Sequence, residues 1–334
     1  MPDTEPIPTP KPVPKLGPSH EAFFVSDGLL QQAEQVCKRR LAQDPDNVGI
    51  LASLGQNYRK QGNLAEAAII YKRLTTLNPE DQVAAYVHAI LAGTDVSVMP
   101  AGIRPAPFVL LKNFLPESFH ETLLPFVLAN QEKLVPARVA SGAYKPDARE
   151  SLDLPGEWEV KKRFHQRIRP LIAKVAPRLH VAPFQIGQLE VKVRAYTDGH
   201  FFRVHMDCPR IPEDVSLRAV SYVYFFHKLP RAYSGGDLLL FDSDPDVEKS
   251  DFTTAAFTRV VPEDNSIVIF PSAYWHSVIP VSCPSKEFAD SRFVINGHVS
   301  KVAPKSVVEA PAGPATSERG VVAAFSPPEV RLTT

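Results

Sequence analysis

Cysteine is scarce in this chain: Cys37, Cys208 and Cys283 are its only three. Thiols so few and so widely spaced do not form a disulfide framework, so a reducing, cytoplasmic compartment is expected. Excess charge is also missing, with 37 basic side chains against 37 acidic ones. That balance gives no electrostatic reason to expect nucleic acid or an anionic membrane surface as a partner. No uninterrupted apolar run reaches about eighteen residues, so no membrane-spanning helix is expected. The stretch from Met1 to His20 lacks the basic start and apolar run of a secretory signal. Gly-rich phosphate loops and Cys-x-x-Cys knuckles are absent as well.

Proline, by contrast, is abundant, and it gathers at both ends. Residues 1–20 and 303–334 are rich in Pro with little apolar periodicity, and are expected to be extended, solvated tails. Between them the pattern divides at 97/98, into a helical module over 21–97 and a strand-rich domain over 98–302. In the first part Asp44-Pro45-Asp46-Asn47 is answered by Asn78-Pro79-Glu80-Asp81, the two prolines being 34 residues apart. Leu51, Leu54-Gly55, Tyr58, Ala67 and Tyr71 fall inside that interval. The set resembles the tetratricopeptide repeat, whose period is 34. Gly55 and Ala67 would let two antiparallel helices approach, with Tyr58 and Tyr71 filling the space beside them. One full repeat is flanked by half-repeats over Leu30 to Ala42 and Gln82 to Ala92. Such arrays need about three units to bury a continuous core, so the module should lean on the rest of the chain. It reads equally as a docking surface for a protein partner or substrate and as a structural cap.

The second part opens with a strand at Phe108 to Leu111, a helix from Pro116-Glu117 and a helix from Trp158 to Val175. Strands are expected at Gln188 to Tyr196, Ser216 to His227, Asp237 to Phe241, Ser266 to Phe270 and Arg292 to Ser300. Thr197-Asp198-Gly199 and Ser234-Gly235-Gly236 supply turns between them. Many short strands after a few helices imply an α+β domain with a β-sandwich or barrel.

His205-Met206-Asp207 carries the first chemical signal. Residues two apart in extended chain project from one face, which aims an imidazole and a carboxylate at one point. His276, after the apolar strand Ile267 to Phe270, is placed to be a third ligand. Two histidines and a carboxylate on one face of a metal leave positions open, which suits iron(II). A His-x-Asp alone is a weak signal.

Its surroundings strengthen it. Tyr196, Gly199 and Phe202 precede the His-x-Asp; Tyr222 to Phe226, Gly235-Gly236-Asp237-Leu238, His276 and Arg292 follow in order. The stretch from 188 to 301 resembles the prolyl-hydroxylase-like branch of the 2-oxoglutarate/iron(II) oxygenases. The resemblance implies a double-stranded β-helix, or jelly roll, around iron(II) held by His205, Asp207 and His276. It implies 2-oxoglutarate as cosubstrate and dioxygen as oxidant, with succinate and carbon dioxide as coproducts. The far carboxylate would pair with Arg292, a guanidinium being well shaped for it. Tyr196, Tyr224 and Leu238 match positions that hold or line the cosubstrate. Hydroxylation of a peptidyl residue such as proline, or of a small molecule, is the activity implied.

Two departures from the family pattern stand out. Arg292 lies sixteen residues beyond His276, a longer interval than close relatives keep, and the extra turn over Ser282 to Asp290 is expected at the cavity rim. His298 stands where an aromatic is common; by the pleat it shares the face of Arg292, Val294 and Asn296 and could face the cosubstrate. If Tyr196 faces inward, Lys192 and Arg194 do too, and Arg218 and Tyr222 share the face of Tyr224. Three cations there would favour an anionic substrate; surface salt bridges are the plain alternative. Two other readings compete: a scaffold protein with a silent barrel, and a cupin-type barrel using no keto acid. Arg292 argues against both.

Overall fold

The computed structural model describes residues 27–95, 99–139, 142–208, 217–246 and 252–303. The expected N-terminal tail, all but the first residue of the C-terminal one, the boundary at 97/98 and the strand start at Ser216 lie outside the described residues.

Four helices come first: α1 (Asp27–Gln43), α2 (Val48–Gln61), α3 (Leu64–Leu77) and α4 (Gln82–Ala92). Their ends are set by local chemistry. The Asn47 side chain accepts from the Ile50 N–H at 3.0 Å, and Asp81 caps α4 through the Ala84 N–H at 2.9 Å. Gly62 and Gly93 close α2 and α4 in the left-handed conformation that glycine adopts without strain. A Cβ on Gly55 would meet the Tyr71 ring at 3.0 Å, so the close crossing of α2 and α3 requires the glycine.

Strand β1 (Val109–Lys112) leads to two short helices, α5 (Glu117–His120) and α6 (Leu123–Ala129). Next come β2 (Val135–Pro136), β3 (Arg149–Glu150), β4 (Leu152–Leu154) and the long helix α7 (Glu159–Val175). Helix α7 buries Val160, Phe164, Ile168, Ile172 and Val175, a stripe at helical spacing. Then follow β5 (Ile186–Leu189), β6 (Lys192–Tyr196), β7 (Phe201–His205), β8 (Arg218–Phe226), β9 (Ser234–Gly235) and β10 (Leu238–Ser243). The remaining strands are β11 (Phe252–Val260), β12 (Ser266–Pro271), β13 (His276–Val278), β14 (Val281–Ser282) and β15 (Arg292–Lys301).

The large sheet runs β1-β12-β8-β15-β6-β4-β2, with β5 also on β15; the small one runs β11-β10-β13-β7-β3. All pairings are antiparallel. The expected jelly roll is therefore present, as two sheets packed face to face. Alternation along the large sheet sorts its side chains into two layers. Tyr196, Phe225, Val268, Phe270 and Val294 meet Leu238, Leu240 and Val278 of the small sheet. Tyr222, Tyr224, Phe226, Ile267, Phe293 and Ile295 face the opposite way, onto Phe164 and Ile168 of α7.

Helices α1 to α4 share the first of these cores. Arg59 of α2, 2 % exposed, forms a two-point ion pair with Asp242 of β10 and donates to Thr258 Oγ1 of β11 at 3.0 Å.

The structure departs from the sequence reading in one split strand and in several strands that were not expected, β7, β11 and β13 among them. The expected strand from Gln188 to Tyr196 breaks at Glu190-Val191 into β5 and β6, whose hydrogen bonds go to different parts of β15. Strands β11 and β13 carry no clear alternation: β11 contains Ala255-Ala256, and β13 is buried on all three of its residues.

Candidate active site

Strands β7 and β13 are adjacent and antiparallel, with His205 directly opposite His276. Their rings lie 4.1 Å apart, centroid to centroid. Asp207, two residues past the end of β7, is held by backbone bonds from its own N–H and that of Cys208 to the Ser272 carbonyl, at 3.1 and 3.0 Å. Asp207 Oδ1 is 3.5 Å from His205 Nε2, and its Oδ2 is 3.2 Å from His276 Nε2. One ligand atom from each of the three falls within 4.8 Å of the others, a spacing fit for a single ion.

The tautomers are set from behind. His205 Nδ1 lies 2.7 Å from the Arg203 carbonyl and His276 Nδ1 lies 3.0 Å from that of Tyr274. A carbonyl can only accept, so each Nδ1 carries the proton and each Nε2 keeps a free lone pair toward the centre. Burial pushes His205 down to about 4, helped by the neighbouring His276, so it stays neutral. Burial alone would raise the Asp207 carboxyl, but the nearby His298 and His276 hold it well below the ordinary range. Against the effect of burial, the Asp207 carboxylate raises His276 above its ordinary value, so a metal there would displace a proton from Nε2; two imidazoles and an ionised carboxylate are a donor set suited to iron(II). Ser221, on β8, donates its hydroxyl to Asp207 Oδ2 at 2.7 Å and lies 2.8 Å from the Ser272 hydroxyl. Neither serine was singled out by the sequence, because their relevance depends on which strands become neighbours.

Arg292 begins β15, opposite Tyr196 on β6, and is 1 % exposed. Its guanidinium carbon sits 4.6 Å from the Tyr196 ring centre and 5.2 Å from that of Phe225. None of its three guanidinium nitrogens has a hydrogen-bond partner among the described residues. A buried cation left so is costly, and an anion is what would satisfy it. Gly236 explains how the side chain fits: a Cβ there would come within 2.5 Å of Arg292 Cδ. Arg292, Tyr196, Leu238 and the three candidate ligands line one cavity of about 630 Å³, wide enough for a small dicarboxylate beside a metal. The residues present thus fit both an iron and a keto acid.

The structure brings most of the remaining expected residues to this cavity, and turns one away. Lys192, Arg194, Arg218 and His298 all line it. Arg218 comes in because a bulge between Val299 and Ser300 shifts the β8–β15 register. His298 Nδ1 lies 3.5 Å from Asp207 Oδ2 and 3.3 Å from Ser221 Oγ, so it backs the carboxylate. Tyr224 is the correction. It belongs to the other face of the large sheet, where its hydroxyl meets His120 Nδ1 at 2.7 Å and Asn265 Oδ1 at 3.0 Å. The expectation fails because strict alternation places Ser221, Val223 and Phe225 inward and the even residues outward. Tyr222 reaches only the cavity edge: its ring stacks on Phe164, and its hydroxyl donates to the Glu190 carbonyl. The segment from Ser282 to Asp290 also contributes nothing to the lining; Phe288 packs against Phe293 instead.

The expected cations are each paired: Lys192 with Glu190 at 3.1 Å, Arg218 with Glu190 at 3.0 Å, and Arg194 with Asp153. Arg149, absent from the sequence reading, lies beside them. It sits over the Phe202 ring at 4.5 Å, and Phe202 in turn stacks on His205 at 3.6 Å. Burial would raise the Tyr196 hydroxyl, but Arg149, Arg194 and Arg292 around it bring it below its ordinary value.

Comparison with known proteins agrees with this geometry. Residues 191–300 match the model of the 2OG-Fe(II) oxygenase superfamily, and residues 24–92 that of the tetratricopeptide repeat. An uncharacterised PKHD-type hydroxylase of Synechocystis is 30% identical over 200 residues, 59% of this chain. The chain spans 64% of that relative's length. A Pseudomonas putida prolyl-4-hydroxylase structure aligns with 59% of this chain and 94% of its own, at 21% identity and a TM-score of 0.44. A Trichoplax adhaerens prolyl hydroxylase, solved with a hypoxia inducible factor peptide, aligns over 58% and 83% at 19% identity and 0.44. The chain therefore carries a 2OG-Fe(II) oxygenase domain, preceded by a tetratricopeptide segment.

Proposed function

We propose that the protein is an iron(II)- and 2-oxoglutarate-dependent dioxygenase that hydroxylates a C–H bond. The observation that carries this reading is Arg292, a buried guanidinium with no hydrogen-bond partner among the described residues, in the same cavity as His205, Asp207 and His276. A metal-only barrel has no use for it; a keto acid requires such a group.

In this reading His205, Asp207 and His276 hold the metal. Arg292 takes the far carboxylate of the keto acid, and Tyr196, beneath that guanidinium, shapes its slot. The bound iron and 2-oxoglutarate supply the oxidation, consuming dioxygen and releasing succinate and carbon dioxide. The chain's own work is placement. Ser221 and His298 fix the Asp207 carboxylate, the Arg203 and Tyr274 carbonyls orient the imidazoles, and Phe202, Phe270 and Val278 keep the site apolar around them. The cavity can receive a side chain of a peptide, such as proline, or a free small molecule.

We further propose that α1 to α4 serve mainly as a structural cap on the small sheet, which the buried Arg59–Asp242 pair supports. The scarcity and wide spacing of Cys37, Cys208 and Cys283 along the sequence support a reducing compartment.

Succinate release from 2-oxoglutarate, with iron(II) and oxygen but no substrate, tests the reading. Slow uncoupled release that vanishes in His276→Ala is expected; no release under any iron supply overturns it.

A further inference from the structure

Resting on that reading, we propose that the substrate presents an oxyanion, a carboxylate or phosphate, to Arg149, with Arg138, Lys145 and Arg203 completing a cationic mouth to the metal cavity.

The charge of the lining is lopsided in a chain whose total charge is zero. Among the described residues, Lys192, Arg194 and Arg218 are matched by Glu190 and Asp153, and Arg292 is reserved for the keto acid. Four further cations then remain, Arg138, Lys145, Arg149 and Arg203, and no described carboxylate forms an ion pair with any of them. Arg149 is on β3 and Arg203 on β7, the strand that ends at the candidate ligand His205. Arg138 and Lys145 flank the segment leading into β3.

Exposed cations alone would mean little. Arg149 is different: it is 4 % exposed, and its Nη2 has no hydrogen-bond partner among the described residues although it is shielded from bulk water. Its Nε donates to Ser151 Oγ at 2.9 Å, which fixes the plane of the guanidinium. Arg149 and Phe202 are direct cross-strand partners, so the cation is one ring away from His205. An oxyanion on Arg149 would hold the rest of a substrate beside the metal position. A guanidinium offers two parallel donors to such a group, and its low exposure keeps the contact from being screened away.

The test uses the full chain saturated with Mn(II) and N-oxalylglycine, a keto-acid analogue that does not react, so that Arg292 is already occupied. One arm titrates a proline-centred pentapeptide with glutamate, glutamine or lysine on both flanks. The other titrates N-acetyl-glutamate, N-acetyl-glutamine and O-phosphoserine as free molecules. Binding is read by calorimetry. The acidic probes of at least one arm should bind about tenfold or more tightly than their neutral counterparts, the value of one charge-assisted hydrogen bond. Arg149→Gln should remove most of that preference. Arg138→Gln/Lys145→Gln, which alters only exposed positions, should reduce it and flatten its salt dependence; this variant decides the matter if Arg149→Gln fails to fold. Which arm shows the preference tells a peptide from a free metabolite. Equal binding of acidic and neutral probes in both arms, or a preference that neither variant changes, overturns the proposal. If that happens in a protein that still releases succinate without substrate, the oxygenase reading stands and only the oxyanion inference falls.

Discussion

Arg292 illustrates how one residue can be costly to the empty protein and necessary to the loaded one. Its guanidinium is buried with no hydrogen bond or ion pair among the described residues, so replacing it by leucine removes a poorly compensated charge. Arg292→Leu should therefore leave the ligand-free protein as stable as the natural chain, or more stable. The same change should weaken 2-oxoglutarate by about 100-fold, roughly 3 kcal/mol, the loss of a charge-assisted bidentate contact. Thermal unfolding with and without 2-oxoglutarate reads both effects at once: the keto acid should raise the midpoint of the natural protein and not that of the variant. Ser221 acts one step further out. Its hydroxyl donates to Asp207, so Ser221→Ala should weaken iron(II) or manganese(II) by about tenfold while leaving the fold intact. Metal affinity unchanged by that substitution would mean that His298 and the backbone bonds to Ser272 suffice to hold Asp207.

At the scale of elements, the candidate ligands were legible because they follow a local rule. The two-residue spacing of His205 and Asp207 at a strand end is visible in the sequence, although Ser272 holds Asp207 in place, and Gly235-Gly236 marks a turn by its own conformational needs. What could not be read locally was anything set by pairing. The inward turn of Arg218 depends on an extra residue, Ala219, where β8 shifts register against β15, and the nearness of Arg149 to His205 depends on β3 pairing with β7. Tyr224 went the other way for a related reason: its role came from a family position, whereas the pleat of β8 assigns it to the layer under α7. The link between α2 and the small sheet was equally invisible, since Arg59 and Asp242 lie 183 positions apart. That link has a measurable weight. Asp242→Ala leaves Arg59 buried and unpaired, and should destabilise the protein by about 3–5 kcal/mol in denaturant unfolding. Helical and sheet signals should then be lost in one transition, because α1 to α4 share a core with the barrel.

On the scale of the whole molecule, zero net charge conceals a strong internal asymmetry. The cavity gathers cations from β3, β6, β7, β8 and β15 in excess of the acids Asp153, Glu190 and Asp207 that line it with them. An anionic cosubstrate should feel this field, so 2-oxoglutarate binding should weaken as salt is raised from low to physiological ionic strength and beyond. The central claim is the joint presence of an iron site and a keto-acid site in one cavity. Anaerobic addition of iron(II) and 2-oxoglutarate to the full chain tests it most directly. The account predicts a weak visible charge-transfer band that requires both components, is abolished in Asp207→Ala, and in Arg292→Leu appears only at far higher 2-oxoglutarate. No band in the natural protein, or one that persists unchanged in both variants, would contradict it.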